Sequence, residues 1–219
     1  VTLLHSLDDL VAVITAASRP GQRTIVGIVG PPGAGKSTVA AALIEQLNGA
    51  GDIHRAAAPA RPAALLPMDG FHLPQARLVE LGRRDRMGAP DTFDVDGFLA
   101  TLAALRKNEP GTVLAPGFDR TVEEAVPDAI VIGPERSIVV VEGNYLLLDT
   151  DGWGAAGALL DVSVFVELDW EVRLTRLIDR HVRFGKSPEA ARDWALGPDE
   201  ANALVITATM VRADHVLAL

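Results

Sequence analysis

Between an apolar run, Thr24-Ile-Val-Gly-Ile-Val29, and a helical stretch, Val39-Ala-Ala-Ala-Leu-Ile-Glu-Gln-Leu47, the chain reads Gly30-Pro31-Pro32-Gly33-Ala34-Gly35-Lys36-Ser37-Thr38. This is the pattern G-x-x-x-x-G-K-[ST], placed after a strand and before a helix as its mechanism needs. Glycines let the backbone wrap tightly so that its N–H groups converge, and the helix start adds the positive end of a dipole. An anion cradle is the expected product, with Gly30 through Thr38 around a nucleotide's phosphates. Lys36 is expected to reach the β- and γ-phosphates and the Ser37 hydroxyl to ligate Mg²⁺. Lysine is scarce: only Lys36, Lys107 and Lys186 occur among 20 basic residues, so its presence in this loop is informative. The motif alone leaves kinases, ATPases and GTPases open.

The surrounding pattern sets the fold class. Apolar runs at 137–143 (SIVVVEG) and 162–168 (VSVFVEL) suit central parallel strands covered on both faces. Further strands are expected at 63–68 and at the terminal HVLAL. Helices are expected at 6–17, where Ser6 with Asp9 resembles a capping box, and at 73–84, 95–107, 170–184 and 187–210, with a loop or weak helix from 49 to 62. Two extended pieces within 112–132 read as a hairpin or edge. Strands alternating with helices predict an α/β fold, a doubly wound and mostly parallel sheet with helices on both faces. The 219 residues make a single domain, with a small helical lid at about 173–187.

Composition narrows the function classes. Charged residues make up 22% and hydrophobic ones 48%, as in globular chains. The formal net charge of −9 opposes phosphate backbones and anionic lipid, so neither nucleic acid nor a membrane surface is expected as a partner. Without cysteine, thiolate metal sites and cysteine nucleophiles are excluded. No apolar stretch is long enough for a membrane helix, and Asp8 and Asp9 interrupt the first apolar segment, unlike a signal peptide. The expectation is a cytoplasmic protein acting on a small molecule, with a homodimer left open.

Two acids stand at expected strand ends, Asp69-Gly70 and Glu142-Gly143, along the edge where α/β sheets bind ligands. Asp69 is expected to accept a proton from a hydroxyl and Glu142 to assist Mg²⁺; each alone also reads as an ordinary turn. Arg173, Arg176 and Arg180 recur at helical spacing, either as a solvated face or as a lid that clamps polyphosphate, with Gly185 as hinge. His72 is a candidate hydrogen-bonding partner of substrate. Phe118 and Arg120 form an acceptor wall or plain surface, and Tyr145 lies near the site or packs beneath it.

The ordered set GPPGAGKST, LLPMDGFH, GAPDTFDVDGF, PGFDR, VVVEGNYLLLD and RLTRLIDRHVRFGKS resembles the P-loop kinases that include uridine kinase, phosphoribulokinase and bacterial pantothenate kinase. It is most similar to their small bacterial branch described as nucleoside or fructose kinase-like, from about residue 24 onward. The resemblance implies ATP and Mg²⁺ as cofactors and transfer of the γ-phosphoryl group to a small-molecule hydroxyl. It implies Asp69 as the base, Glu142 as the magnesium partner, Asp91 and Phe93 on the acceptor side, and Arg173, Arg176 and Arg180 near the phosphates. It also implies that Trp194 and the stretch from Asn202 to Asp214 lie toward the adenine, with Met210 where relatives carry an arginine. A nucleotide-dependent switch or accessory ATPase is the rival reading, and a binder without catalysis a third.

Overall fold

The computed structural model describes residues 1–49 and 62–219, so the expected loop at 49–62 falls almost wholly outside the described residues. Six strands form one sheet in the order β1 (Thr2–Leu4), β8 (His215–Ala218), β7 (Val162–Glu167), β2 (Thr24–Val29), β6 (Ile138–Gly143) and β3 (Ala63–Pro67), and every pairing is parallel. The helices are α1 (Leu7–Ala17), α2 (Lys36–Leu47), α3 (Gln75–Glu80), α4 (Val95–Lys107), α5 (Trp170–Arg183), α6 (Pro188–Leu196) and α7 (Pro198–Thr207).

Strand β2 is buried at all six positions because it is apolar on both sides and lies between β6 and β7. Alternate side chains feed two cores. Val26 and Ile28 join Val140 and Val164 against Leu10 and Ile14 of α1 and Val39 and Leu43 of α2. Ile25 and Val29 join Val139 and Val141 against Phe98 and Leu102 of α4 and Trp153. The chain goes from β2 to β3 and β6 on one side of the sheet, and β7 and β8 lie on the other, so the crevice at the carboxyl end of β2 is a topological switch point, where such sheets take ligands. Below it, the buried Arg23 donates to the carbonyls of Arg136, Leu105 and Gly133 and ties α4 to the start of β2.

The structure departs from the expected elements in three places. The three-residue β1, too short to carry a periodic signal, extends the sheet beyond β8. Helix α3 ends at Glu80, four residues early, where the chain turns at Gly82 with φ 64°. The single helix expected over 187–210 is two, because Pro198 has no N–H to continue the ladder. As expected, the extended pieces at 112–132 pair, as an antiparallel ribbon of β4 (Val113–Asp119) and β5 (Glu124–Ile132) separate from the main sheet. Among the described residues no helix is long and apolar enough to cross a membrane.

Candidate active site

The loop from Gly30 to Gly35 leaves β2 and opens α2 at Lys36. At Gly33, with φ 82°, a β-carbon would stand 2.7 Å from Leu177 Cγ and 3.0 Å from the Arg173 carbonyl, so α5 lies directly on the loop. No side chain caps α2, which leaves its first-turn N–H groups for an anion. The Lys36 ammonium donates to the Pro31 carbonyl at 3.1 Å. Burial pushes its pKa down to about 8, against the opposing pull of Glu142 and Asp69. The Ser37 hydroxyl donates to Glu142 Oε1 at 3.1 Å.

Sheet register brings the acids together. Glu142 pairs with Ile28 of β2 on one side and Pro67 of β3 on the other, and Asp69 follows two residues later in the 3-10 turn Met68–Phe71. Burial raises the Glu142 pKa, opposed mainly by Lys36. The turn carrying Asp69 is pressed by the ribbon: a β-carbon at Gly70 would sit 2.0 Å from the Pro116 carbonyl oxygen. The same ribbon delivers Arg120, whose Nη2 donates to Asp69 Oδ2 at 2.6 Å, and Phe118. The His72 ring lies between Phe93 and Phe118, with centroids 4.0 and 4.8 Å away. Its burial lowers its pKa, keeping the imidazole neutral at neutral pH.

Two cavities meet at Lys36, Ser37 and Arg180. One, of ≈ 180 Å³, is walled by Asp69, His72, Phe93, Phe118, Arg120 and Glu142. The other, of ≈ 580 Å³, runs over Gly33, Gly35, Thr38 and Arg176. The Arg180 side chain makes no hydrogen bond or ion pair with another described residue, and burial lowers its pKa while Asp199, Asp69 and Glu142 oppose the shift. A half-buried guanidinium with no side-chain partner among the described residues, at the junction of two cavities, is suited to receive an anion.

Several expected residues stand elsewhere. Tyr145 is fully buried in an aromatic cluster with Phe93 and Trp153, its hydroxyl donating to the Gly88 carbonyl at 2.5 Å, so it packs beneath the cavity instead of lining it. Asp91 is held by Arg83 and Arg86 and braces the 83–91 loop outside the cavity. Arg173 is buried, ion-paired to Glu200 and donating to the Pro32 carbonyl at 3.4 Å, which fastens α5 to the loop. Gly30, Pro31 and Ala34 shape the loop without lining either cavity, whereas Pro32 borders the smaller one.

The segment expected near the adenine is the clearest correction. Asp214 accepts from the Ser163 N–H and hydroxyl at 2.8 and 2.7 Å, and Arg212 donates to the Leu147 carbonyl at 3.1 Å. This places residues 212–214 at the amino ends of β7 and β8, across the sheet from the phosphate loop; Met210 packs against the core. Trp194 and Asn202 border the Asp69 cavity instead. That cavity also holds Asn144 and the pair His181–Asp199, joined at 2.6 Å, none of which the sequence reading singled out. Asn144 follows Glu142-Gly143 directly and was open to notice; the pair comes from α5 and α7, which no local pattern joins.

The family model described as "Phosphoribulokinase / Uridine kinase family" matches residues 25–218. The chain belongs to this family. A Schizosaccharomyces pombe protein named, provisionally, a uridine kinase is 31% identical over 98% of this chain and 91% of its own. An Aspergillus versicolor protein named as ATP-dependent kinase-like is 39% identical over 62% of this chain and 84% of its own. Among solved structures, a protein of Silicibacter sp. TM1040, named provisionally as a fructose transport system kinase, superposes with a TM-score of 0.86 at 36% identity, over 97% of this chain and 99% of that one. Membership in the family supports ATP-dependent kinase activity, and the parallel sheet and phosphate loop are those of its P-loop kinases. The residues present also fit magnesium: the Ser37 hydroxyl and the Glu142 carboxylate are adjacent hard oxygen donors, and Mg²⁺ is commonly held by one or two such groups together with substrate phosphates.

Proposed function

We propose that the protein transfers the γ-phosphoryl group of ATP to a hydroxyl of a small, hydroxyl-rich metabolite. The observation that carries this reading is the meeting of two cavities at Lys36 and Arg180, one on the phosphate loop and the other holding Asp69. A phosphoryl group spanning that junction has two cations beside it and a carboxylate on its far side. The small, largely polar acceptor cavity suits a nucleoside, a sugar such as fructose, or a pantothenate-like alcohol, and the named relatives favour the first two.

Arg120 occupies Asp69 Oδ2, which leaves Oδ1 to accept the hydrogen bond of an incoming hydroxyl and fixes the carboxylate's orientation. The hydroxyl oxygen forms the new P–O bond as the bond to the β,γ-bridging oxygen breaks. The hydroxyl proton passes to Asp69, and ADP carries away the bridging oxygen's electron pair. The transition state is loose, so positioning and charge neutralisation matter more than base strength. Lys36 and Arg180 supply the neutralisation, helped by the N–H groups of α2. Bound Mg²⁺, held through Ser37 and Glu142, would offset phosphate charge. His72, fixed between Phe93 and Phe118, shapes the acceptor wall, and α5 with Arg176 serves as the lid that excludes water.

Measuring ADP release with nucleosides, hexoses, pentoses and vitamin alcohols tests the proposal. ADP formation that rises at least tenfold with one class supports it. Formation at one rate whatever is added points to an ATPase, and none with any acceptor to a binder.

A further inference from the structure

The larger cavity has a wall that the family match, which begins at residue 25, does not include. Strand β1 pairs in parallel with β8, Leu4 opposite Leu217, so the connection that follows it emerges at the same sheet edge as the phosphate loop. His5 and Ser6 of that connection and Leu7 at the start of α1 line the cavity, together with Leu217 of β8, Leu219 just beyond it and Val39 of α2. Two bonds hold the connection in place: the His5 N–H donates to Asp9 Oδ2 at 3.0 Å, and the Ser6 hydroxyl accepts from the Asp9 N–H at 3.1 Å, capping α1.

The proposed function puts the triphosphate over Lys36 and Ser37, which both cavities share, and puts the acceptor beside Asp69. The rest of the nucleotide is then left to the larger cavity, whose ≈ 580 Å³ lies within the roughly 300–1,000 Å³ usual for small-molecule sites. Its lining is mostly aliphatic away from the loop, and His5 is the only ring-bearing side chain among the described residues that line it. The imidazole is exposed and so free to lie against a planar ligand. On this basis we infer that the β1–α1 connection forms the base-binding wall, with His5 stacking on the purine ring of the nucleotide. Residues 2–17 are therefore part of the nucleotide site as well as an edge of the sheet, and His5 is a determinant of nucleotide affinity.

The inference rests on the reading of the phosphate loop, and calorimetry separates the two. The probes are the β,γ-imido analogue of ATP with magnesium, and inorganic tripolyphosphate with magnesium. Stacking on an aromatic ring contributes about 1–3 kcal/mol per base, so His5→Ala is expected to weaken the ATP analogue about 5-fold to 150-fold. His5→Phe, which keeps a ring, restores most of the affinity, and tripolyphosphate binds all three proteins alike. Unchanged analogue affinity in His5→Ala overturns the inference while leaving the phosphate loop intact. So does an equal loss for both probes, because His5 would then act on the phosphates or the fold. Failure of both probes to bind the unaltered protein overturns the phosphate-loop reading itself. Should His5→Ala not fold, the imidazole proton resonances of His5 in the unaltered protein decide the matter. They are expected to shift with the analogue and stay put with tripolyphosphate; identical responses to the two contradict the stacking.

Discussion

Replacing Lys36 with methionine is expected to make the nucleotide-free protein more stable while abolishing nucleotide binding. The buried ammonium titrates near 8 in the folded chain, against 10.5 for an unperturbed lysine. At 1.36 kcal/mol per pH unit, holding the charge in that site costs about 3 kcal/mol. The thioether side chain would remove this cost but leave the Pro31 carbonyl without its donor, which takes back about 1 kcal/mol. The net gain of about 2 kcal/mol corresponds to a rise of about 4–8 °C in melting temperature for a chain of this size. The pH dependence fixes the cause. Below pH 8 the amine is charged in both states and the folded state bears the full cost. Between about 8 and 10.5 the unfolded chain holds the proton that the folded one has lost, so the unaltered protein gains stability with rising pH. The advantage of Lys36→Met therefore shrinks across that window. With nucleotide at a hundred times its dissociation constant the unaltered protein gains about 2.7 kcal/mol and the order reverses. Calorimetric melts from pH 6.5 to 10, with and without the imido analogue, measure all of this. An unaltered protein that is the more stable at pH 7 without ligand, or a difference that ignores pH, refutes the reasoning.

Asp69→Asn is expected to lower turnover by at least a hundredfold with little change in nucleotide affinity, since the amide keeps the shape but cannot take the proton; steady-state kinetics beside calorimetry checks both. Arg180→Ala should also reduce turnover strongly, because among the described residues the side chain has no hydrogen-bond or ion-pair partner whose loss would compete as an explanation; its melting temperature should hold or rise, and a marked fall would place Arg180 in the scaffold. Arg23→Leu, which strips the donor from three carbonyls at the base of β2, should destabilise the fold by about 2–4 kcal/mol in urea titrations while the folded fraction binds nucleotide normally. Tyr145→Phe should lose about 1 kcal/mol of stability through its bond to Gly88 and leave the acceptor KM unchanged; a severalfold rise in KM would return Tyr145 to the substrate wall.

Much of this architecture was legible because the local signals agree with the global fold. The run from Thr24 to Val29 is apolar at every position but Thr24 and Gly27, the glycines of the loop match the positive φ values at Gly33 and Gly35, and Ser6 caps α1 as its spacing with Asp9 suggests. Asp69 and Glu142 were found because strand ends in a parallel sheet share one edge, a rule that needs only the order of elements. What stayed hidden depends on distance along the chain. Tyr145 reads equally as a neighbour of the site or as packed beneath it, and its ring turns into the core because Phe93 and Trp153 are there to meet it. Arg173, Arg176 and Arg180 share a helical stripe, but Glu200 from α7 takes the first of them. Likeness to related sequences put the stretch from Asn202 to Asp214 near the adenine, whereas the pairing of Asp214 with Ser163 fixes its end, residues 212–214, at the opposite edge. The short β1 gave no periodicity at all, although it carries the connection with His5 to the phosphate loop.

The most direct test of the central claim follows the phosphorus atom itself. In a single turnover with ATP labelled at the γ-phosphate and the best acceptor from the screen, the label is expected to appear in a phosphoester of that acceptor, with inorganic phosphate no more than a trace. Label released as inorganic phosphate at the same rate with and without the alcohol would contradict transfer across the junction of Lys36, Arg180 and Asp69.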